Sequence, residues 1–224
     1  MQQTTKTKAR SKQWTILIID DHPLVRRGVR DALSDEPDLE VVAEAADVAE
    51  GLRKAADAPD LAIVDISLGH GSGLDLIKQL RAQHPDIKIL VLSVHDEALY
   101  AERALRAGAQ GYLRKSEPAD TLIAAIRSVL RGGAALSPVM TERLVRQAVH
   151  NKRGEASGVE SLSDREMEVF QLIGGGLSTR KIAKQLCISI KTVETHREHI
   201  KRKLGIDTAA ELSRYAVAWV ENPS

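Results

Sequence analysis

The sequence offers little with which to cross-link or embed itself. A single cysteine, Cys187, excludes an intramolecular disulfide and fits a reducing compartment. No apolar run approaches the length of a membrane span. Ile16 to Ile19 is far too short, and the basic residues Lys6, Lys8, Arg10 and Lys12 are followed by no apolar stretch of signal-peptide length. A soluble, cytoplasmic chain with no membrane partner is expected. Neither charge predominates, with 32 Lys and Arg against 31 Asp and Glu, and there is no internal repeat or long low-complexity tract. With 43 % apolar residues in a chain of 224, a core can be buried, which excludes disordered, collagen-like and acidic-tail classes. At about one domain per ~150 residues, the length suggests one large domain or two modest ones.

The near balance of charge conceals an asymmetry. Residues 14–149 carry 16 basic and 21 acidic residues, a net of −5, whereas residues 178–203 carry eight basic and two acidic, a net of +6. An acidic front and a basic back predict two modules with different partners, the second a candidate for a polyanion.

Five short apolar runs rich in β-branched residues, Trp14–Ile19, Leu39–Ala45, Leu61–Val64, Ile87–Val94 and Gly111–Leu113, alternate with helical segments. These segments are Leu24–Leu33, Val48–Ala56, Leu74–Ala82, Glu97–Ala107 and Ala119–Leu130. Asp47 is a candidate N-cap, Pro37 and Pro85 follow helix ends, and Gly108 is a candidate stop. Nearly continuous apolar strands imply a parallel sheet buried on both faces with right-handed crossovers, a doubly wound (βα)5 fold. Gly132-Gly133 ends the pattern. Ser137-Pro138 opens a further helix to about Val149, and the polar stretch His150–Ser161 reads as a flexible linker. From Leu162 the chain is all helical: Asp164–Ile173, Thr179–Leu186, Ile190–Leu204 and Ala209–Val220. The expected organisation is a basic tail over 1–13, an α/β domain over 14–133, a linker over 134–161 with a helix at about 138–149, and a small four-helix all-α domain over 162–224.

Ligands of open parallel sheets bind at the carboxyl ends of the strands, near the topological switch point. Here those ends carry Asp20 and Asp21, Asp65, Ser93 and Lys115. Clustered carboxylates repel one another unless a cation compensates them, and carboxylates with water suit Mg2+. Asp65 can act as a nucleophile towards phosphorus, with Lys115 and the metal neutralising phosphoryl oxygens and Ser93 donating a hydrogen bond. Any one acid at a strand end is ordinarily solvated surface or a cap; five such groups at four strand ends are harder to explain that way. Haloacid-dehalogenase-like phosphatases also use a strand-end Asp but need a second acid two residues on, where this chain has Ser67. That difference argues against a turnover phosphatase.

The stretches IIDDHPLVRRGV, AIVDISLGHGSGLDLI, ILVLSVHDE and GYLRKS resemble the receiver domain of two-component response regulators, over about residues 14–131. The resemblance implies that Asp65 accepts a phosphoryl group from the phosphohistidine of a sensor histidine kinase, with Mg2+ required. It implies too that Asp20, Asp21 and Asp65 hold the metal and that Lys115 contacts the phosphoryl group. Ser93 and Tyr112 would couple phosphorylation to the face formed by the fourth helix, fifth strand and fifth helix; by chemistry alone Tyr112 reads as packing. The chain departs from the family pattern at Gly69 and Ser116, where many members carry proline, and Gly69, Gly71 and Gly73 make that loop unusually flexible.

On a helical wheel of Ile190–Leu204, the residues Ile190, Val193, Ile200 and Leu204 share one arc, opposite Lys191, Glu194, Thr195, Glu198 and Arg202. With Ser189 as N-cap and Thr179–Leu186 before it, this is a helix-turn-helix pattern, although a solvated bundle face would show similar periodicity. The stretch from Leu162 to Ile206 resembles the LuxR-type (NarL/FixJ-like) helix-turn-helix. The resemblance implies that the helix from Ser189 enters the major groove of double-stranded DNA. Glu194, Thr195 and Glu198 would approach base edges, while Lys181, Lys184, Lys191, Thr192, Arg197, Lys201 and Lys203 would contact phosphates. Cys187, His196 and His199 lack a fourth ligand for zinc, so Cys187 is expected as a small buried hydrophobe. His22 can tune the acidic pocket but is more often surface. In the last helix Leu212, Tyr215, Ala216 and Trp219, widened by Ala209, Val217 and Val220, offer more apolar surface than a four-helix domain needs. Self-association on paired half-sites or core packing accounts for it.

The expected function is a phosphorylation-switched, DNA-binding transcriptional regulator, not an enzyme beyond the chemistry at Asp65. Its expected partners are promoter DNA, a cognate kinase, RNA polymerase and a second copy of itself. The rival classes are a phosphatase and a protein-binding adaptor.

Overall fold

The structure, a computed structural model, describes residues 13–69, 71–150 and 158–221. The expected basic tail lies outside the described residues, apart from its last position. The α/β domain runs β1 (Trp14–Ile19), α1 (Pro23–Leu33), β2 (Leu39–Ala45), α2 (Val48–Ala55), β3 (Leu61–Val64), α3 (Gly73–Gln83), β4 (Lys88–Ser93), α4 (Glu97–Ala107), β5 (Gly111–Arg114) and α5 (Ala119–Leu130). The strands form one parallel sheet in the order β2-β1-β3-β4-β5.

Strand side chains alternate between two cores, as a twofold period requires. Ile16 and Ile18 pack with Val29 and Leu33 of α1 and Ile126 and Val129 of α5. Leu17 and Ile19 pack with Leu74, Ile77 and Leu80 of α3 and with Tyr100 and Ala104 of α4. Each turn has a local cause. The Asp47 carboxylate accepts from the Glu50 N–H at the start of α2, and Gly108 closes α4 in the left-handed region at φ 116°. Ser67–Leu68 and Gly71–Ser72 pair as a two-residue antiparallel hairpin, an element too short for any periodicity to reveal. All peptide bonds are trans among the described residues, Lys115–Ser116 included.

The segment from 134, expected as the start of the linker, is packed. Ala135 bridges Gly111 at the edge of the sheet, and its carbonyl accepts from the Tyr112 N–H at 2.8 Å. That pairing satisfies backbone groups that an open edge would expose. The chain continues through α6 (Pro138–His150), whose Met140 is buried. Residues 151–157 of the expected linker lie outside the described residues; Gly158–Ser161 form a 3-10 turn with Val159 buried. The second domain is α7 (Asp164–Gly174), α8 (Thr179–Gln185), α9 (Ile190–Leu204) and α10 (Ala209–Glu221) around Phe170, Ile182, Val193, Ile200 and Leu212. No helix among the described residues is long and apolar enough to cross a membrane.

The two domains dock. One buried apolar cluster runs from the α3–α4 side of the sheet through Met140 to Met167 and Phe170 of α7. Polar contacts fix the orientation. Tyr100 Oη donates to Gln171 Oε1 at 2.7 Å, Arg103 donates to the Leu162 carbonyl at 2.7 Å, and Asp164 meets both Lys78 at 2.8 Å and Arg103 at 3.2 Å.

Candidate functional site

The strand order reverses between β1 and β3, which opens a crevice at their carboxyl ends. Asp20 and Asp21 follow β1 and Asp65 follows β3, so all three carboxylates arrive at that crevice. Together with His22 they offer ligand atoms that lie within 4.8 Å of one another. Lys115, just past β5, inserts its ammonium among them, 2.7 Å from Asp20 Oδ2 and 2.6 Å from Asp65 Oδ2. Backbone pairing fixes this reach, because the Lys115 N–H donates to the Ser93 carbonyl at 2.8 Å.

Burial sets the electrostatics. Asp20 and Asp65 are 2 % and 1 % exposed. Burial pushes the Asp65 carboxyl above its ordinary pKa; the Lys115 ammonium opposes the shift and the Asp20 charge adds to it. For Lys115, burial works downward but Asp65 and Asp20 outweigh it, so the ammonium is held above its ordinary value. Three carboxylates against one ammonium leave the pocket about two charges negative when all are ionised. Asp21 Oδ1 is buried with no hydrogen-bond donor. His22 Nδ1 comes within 2.7 Å of it, but out of hydrogen-bonding alignment. The other Asp21 oxygen accepts from the Gly69 N–H at 3.1 Å.

The loop glycines serve close approach as well as flexibility. A Cβ on Gly73 would stand 2.1 Å from the Asp65 carbonyl oxygen, so helix α3 can start against the Asp65 backbone only with glycine there.

Ser93 and Tyr112 are fully buried on β4 and β5, and both converge on a residue the sequence reading had not singled out. The His95 N–H donates to Ser93 Oγ at 3.3 Å, and Tyr112 Oη donates to the His95 carbonyl at 3.1 Å. The imidazole Nε2 shares a 2.6 Å hydrogen bond with Ser67 Oγ, and the ring lies 4.6 Å from that of Tyr100. His95 stands two residues past the strand-end Ser93, a spacing that keeps it on the same rim and was available as a signal.

The second candidate surface is α9. Ser189 caps it, accepting from the Thr192 N–H, and Gly205 closes it at φ 67°. Lys181, Lys184, Lys191, Glu194, Thr195 and Glu198 are exposed, and Thr192, Arg197 and Lys201 are half-buried. Lys201 pairs with Glu198 at 3.0 Å. The Lys203 ammonium is turned inward to the buried Glu166, 2.6 Å away, and so ties α9 to α7. Glu166 also completes a capping box with Ser163. Two expectations need correcting. Cys187 is exposed, because the turn between α8 and α9 places it in the left-handed region at φ 52° and lifts it off the core. Ile190, on the apolar arc, is also exposed, since the arc at the first turn runs past the packed centre of the domain. On α10, Leu212 and Ala216 are core and Trp219 packs on Phe170, whereas Tyr215, Val217 and Val220 remain exposed.

A cleft of about 540 Å³ separates the crevice from the second domain. Asp21, Ser67 and His95 line one wall; Arg165, Gln171 and Trp219 line the other. No residue of α9 lines it, and Lys191, Glu194, Thr195 and Glu198 on the polar face of α9 are exposed.

Fold and crevice define a doubly wound α/β domain with a carboxylate-lined crevice, joined to a helix-turn-helix, and comparison with known proteins identifies both parts. The family described as "Response regulator receiver domain" matches residues 16–127, and "Bacterial regulatory proteins, luxR family" matches residues 160–216. The chain belongs to the two-component response regulators with a receiver and a luxR-type domain. Among similar proteins, oxygen regulatory protein NreC of Staphylococcus carnosus (strain TM300) is 40 % identical over 208 residues, covering 90 % of this chain and 96 % of its own. Among solved structures, RcsB from Salmonella enterica serovar Typhimurium, bound to promoter rprA in the presence of phosphomimetic BeF3−, aligns over 92 % of this chain and 99 % of its own, with TM-score 0.62 and 26 % identity. A LuxR-family two-component response regulator from Aurantimonas sp. SI85-9A1 covers 62 % of this chain and 99 % of its own, with TM-score 0.57 and 33 % identity.

Proposed function

We propose that this chain is a cytoplasmic transcriptional regulator whose DNA binding through α9 is switched by Mg2+-dependent phosphorylation of Asp65. The observation that carries the reading is the meeting of Asp20, Asp21, Asp65 and Lys115 in one buried crevice. Three carboxylates, a net negative charge and an Asp21 Oδ1 that accepts no hydrogen bond suit a hard divalent cation, with Asp20, Asp21 and Asp65 as its holders and His22 beside them. When bound, the metal supplies positive charge opposite the phosphoryl oxygens.

An Asp65 carboxylate oxygen attacks the phosphorus of a kinase phosphohistidine. The P–N bond breaks, its electron pair returns to the imidazole, and the imidazole takes up a proton. Lys115, already in contact with the attacking carboxylate, offsets charge on the phosphoryl oxygens. Ser93 supplies a hydroxyl at the next strand end, and the Tyr112 ring fills space beside it. With Ser67 where haloacid-dehalogenase-like phosphatases need a second acid, we read the chain as a switch and not as a turnover phosphatase.

The switch works on populations: phosphorylation favours a receiver state that frees the luxR-type domain and promotes the pairing of two chains on DNA. Lys181, Lys184, Lys191, Thr192, Arg197 and Lys201 contact phosphates, joined by Lys203 if its ammonium leaves Glu166. Glu194, Thr195 and Glu198 face base edges, and RNA polymerase is the further partner at promoters. The test compares wild type with Asp65→Asn, each treated with a small phosphodonor and Mg2+, on DNA selected by the chain from a random pool. Affinity should rise in wild type alone; a rise in both, or in neither, overturns the reading.

A further inference from the structure

From the contacts of His95 we infer that it is a positioning residue coupling the Asp65 crevice to the docked luxR-type domain, an inference that rests on Asp65 being the phosphoacceptor. The side chain spans the gap between the two. On one side its Nε2 holds Ser67 Oγ at 2.6 Å, and the Ser67 N–H in turn donates to Asp65 Oδ1 at 3.3 Å. On the other side its ring packs on Tyr100, centroids 4.6 Å apart, and Tyr100 Oη donates to Gln171 Oε1 of α7 at 2.7 Å. An unbroken series of contacts therefore runs Asp65–Ser67–His95–Tyr100–Gln171, joining residues 106 positions apart in sequence. The backbone of His95 is held as firmly, through Ser93 Oγ and Tyr112 Oη. Burial holds the imidazole below its ordinary pKa, with Lys115 adding to the effect.

The direction of coupling follows from space. In the docked state Ser67 is clasped to His95 at the mouth of a crevice where Asp65 is 1 % exposed. A tetrahedral group on Asp65 adds bulk at that mouth, so it competes with the clasp. Through Tyr100 it then weakens the hold on Gln171. Linkage is reciprocal: whatever loosens the dock must tighten binding of a phosphoryl-like group at Asp65 by the same factor.

The experiment measures the affinity of the full chain for BeF3− with Mg2+, followed by the 19F signal of the bound species. Gln171→Ala, which leaves the buried Tyr100 hydroxyl without its acceptor, should tighten binding about fivefold, the worth of one neutral hydrogen bond. In a His95→Phe background, which keeps a ring on Tyr100 but loses the Ser67 bond, the same change should shift affinity less than about twofold. Ser67→Ala cuts the clasp from its other end and should behave like His95→Phe, which guards against a folding defect in either variant. Equal tightening by Gln171→Ala in all three backgrounds, or none in wild type, overturns the role of His95 while leaving Asp65 as acceptor. Failure of wild type to bind BeF3−, or binding retained in Asp65→Asn, overturns the acceptor reading and this inference with it.

Discussion

Removing the Lys115 ammonium probes the electrostatics of the crevice most sharply. Its Nζ stands 2.7 Å from Asp20 and 2.6 Å from Asp65, and both carboxylates are buried. At that range each contact has a gross attraction of about 6 kcal/mol at an effective dielectric of about 20. Desolvation offsets most of it, and breaking a buried pair from one side typically costs about 3–5 kcal/mol. The crevice has an escape, since Asp65 is already held above its ordinary pKa by burial and can take up a proton once the cation is gone. An acid raised in the folded state binds more protons folded than unfolded. Stability therefore falls as pH rises from its unfolded pKa, about 3.9, through the folded one. Lys115→Ala extends that window upward. It should destabilise the receiver by about 3 kcal/mol at pH 8 but by only about 1 kcal/mol at pH 5. At about 4 °C per kcal/mol for a domain of this size, the midpoint drops by about 12 °C and about 4 °C respectively. Thermal unfolding by circular dichroism in Mg2+-free buffer, beside wild type at both pH values, reads this directly. An equal cost at both, or no cost, would refute the reasoning.

Gly73→Ala would place a Cβ 2.1 Å from the Asp65 carbonyl oxygen and 2.6 Å from Ile66 Cα, both backbone, so a loss above about 3 kcal/mol is expected. A wild-type melting curve would contradict it. At Glu166, burial works to raise the pKa but Lys203 and Ser163 outweigh it, and the carboxyl is held below its ordinary value. Its stabilisation is therefore complete above the unfolded pKa, about 4.3, and lost as pH falls through the folded one. Glu166→Gln should flatten the acid limb of the luxR-type domain's stability below about pH 4, and superimposable limbs would count against the Lys203 contact. Lys191→Ala should lower the log–log salt slope of DNA affinity by about 0.9, as one lost phosphate contact does; an unchanged slope removes it from the interface.

Much of this was legible because local chemistry and global fold agree. The apolar runs at Trp14–Ile19 and Leu61–Val64 end where the strands end, and an acid follows each. Asp47, Gly108, Ser189 and Gly205 bound their helices through hydrogen bonds or a left-handed φ visible in residue type alone. The carboxylate crevice was legible for the same reason: strand ends in a parallel sheet meet by construction. What escaped notice depends on distant partners. Glu166 reads as a first-turn acid, and only the fold brings Lys203 to it from 37 residues away. Cys187 reads as a small hydrophobe, yet a turn geometry that no sequence pattern announces lifts it out. The docking of Gln171 on Tyr100, 71 residues apart, leaves no periodic trace, so the spacing from Ser93 could place His95 on the rim but not link it to the second domain.

The account stands or falls on which atom takes the phosphoryl group. Borohydride reduces an acyl phosphate to an alcohol, which turns a phosphorylated aspartate into homoserine. The wild-type chain, incubated with a small phosphodonor and Mg2+, reduced and sequenced by fragmentation, should carry homoserine at position 65 and nowhere else. Homoserine at Asp20 or Asp21, or at no position, would contradict the account at its centre.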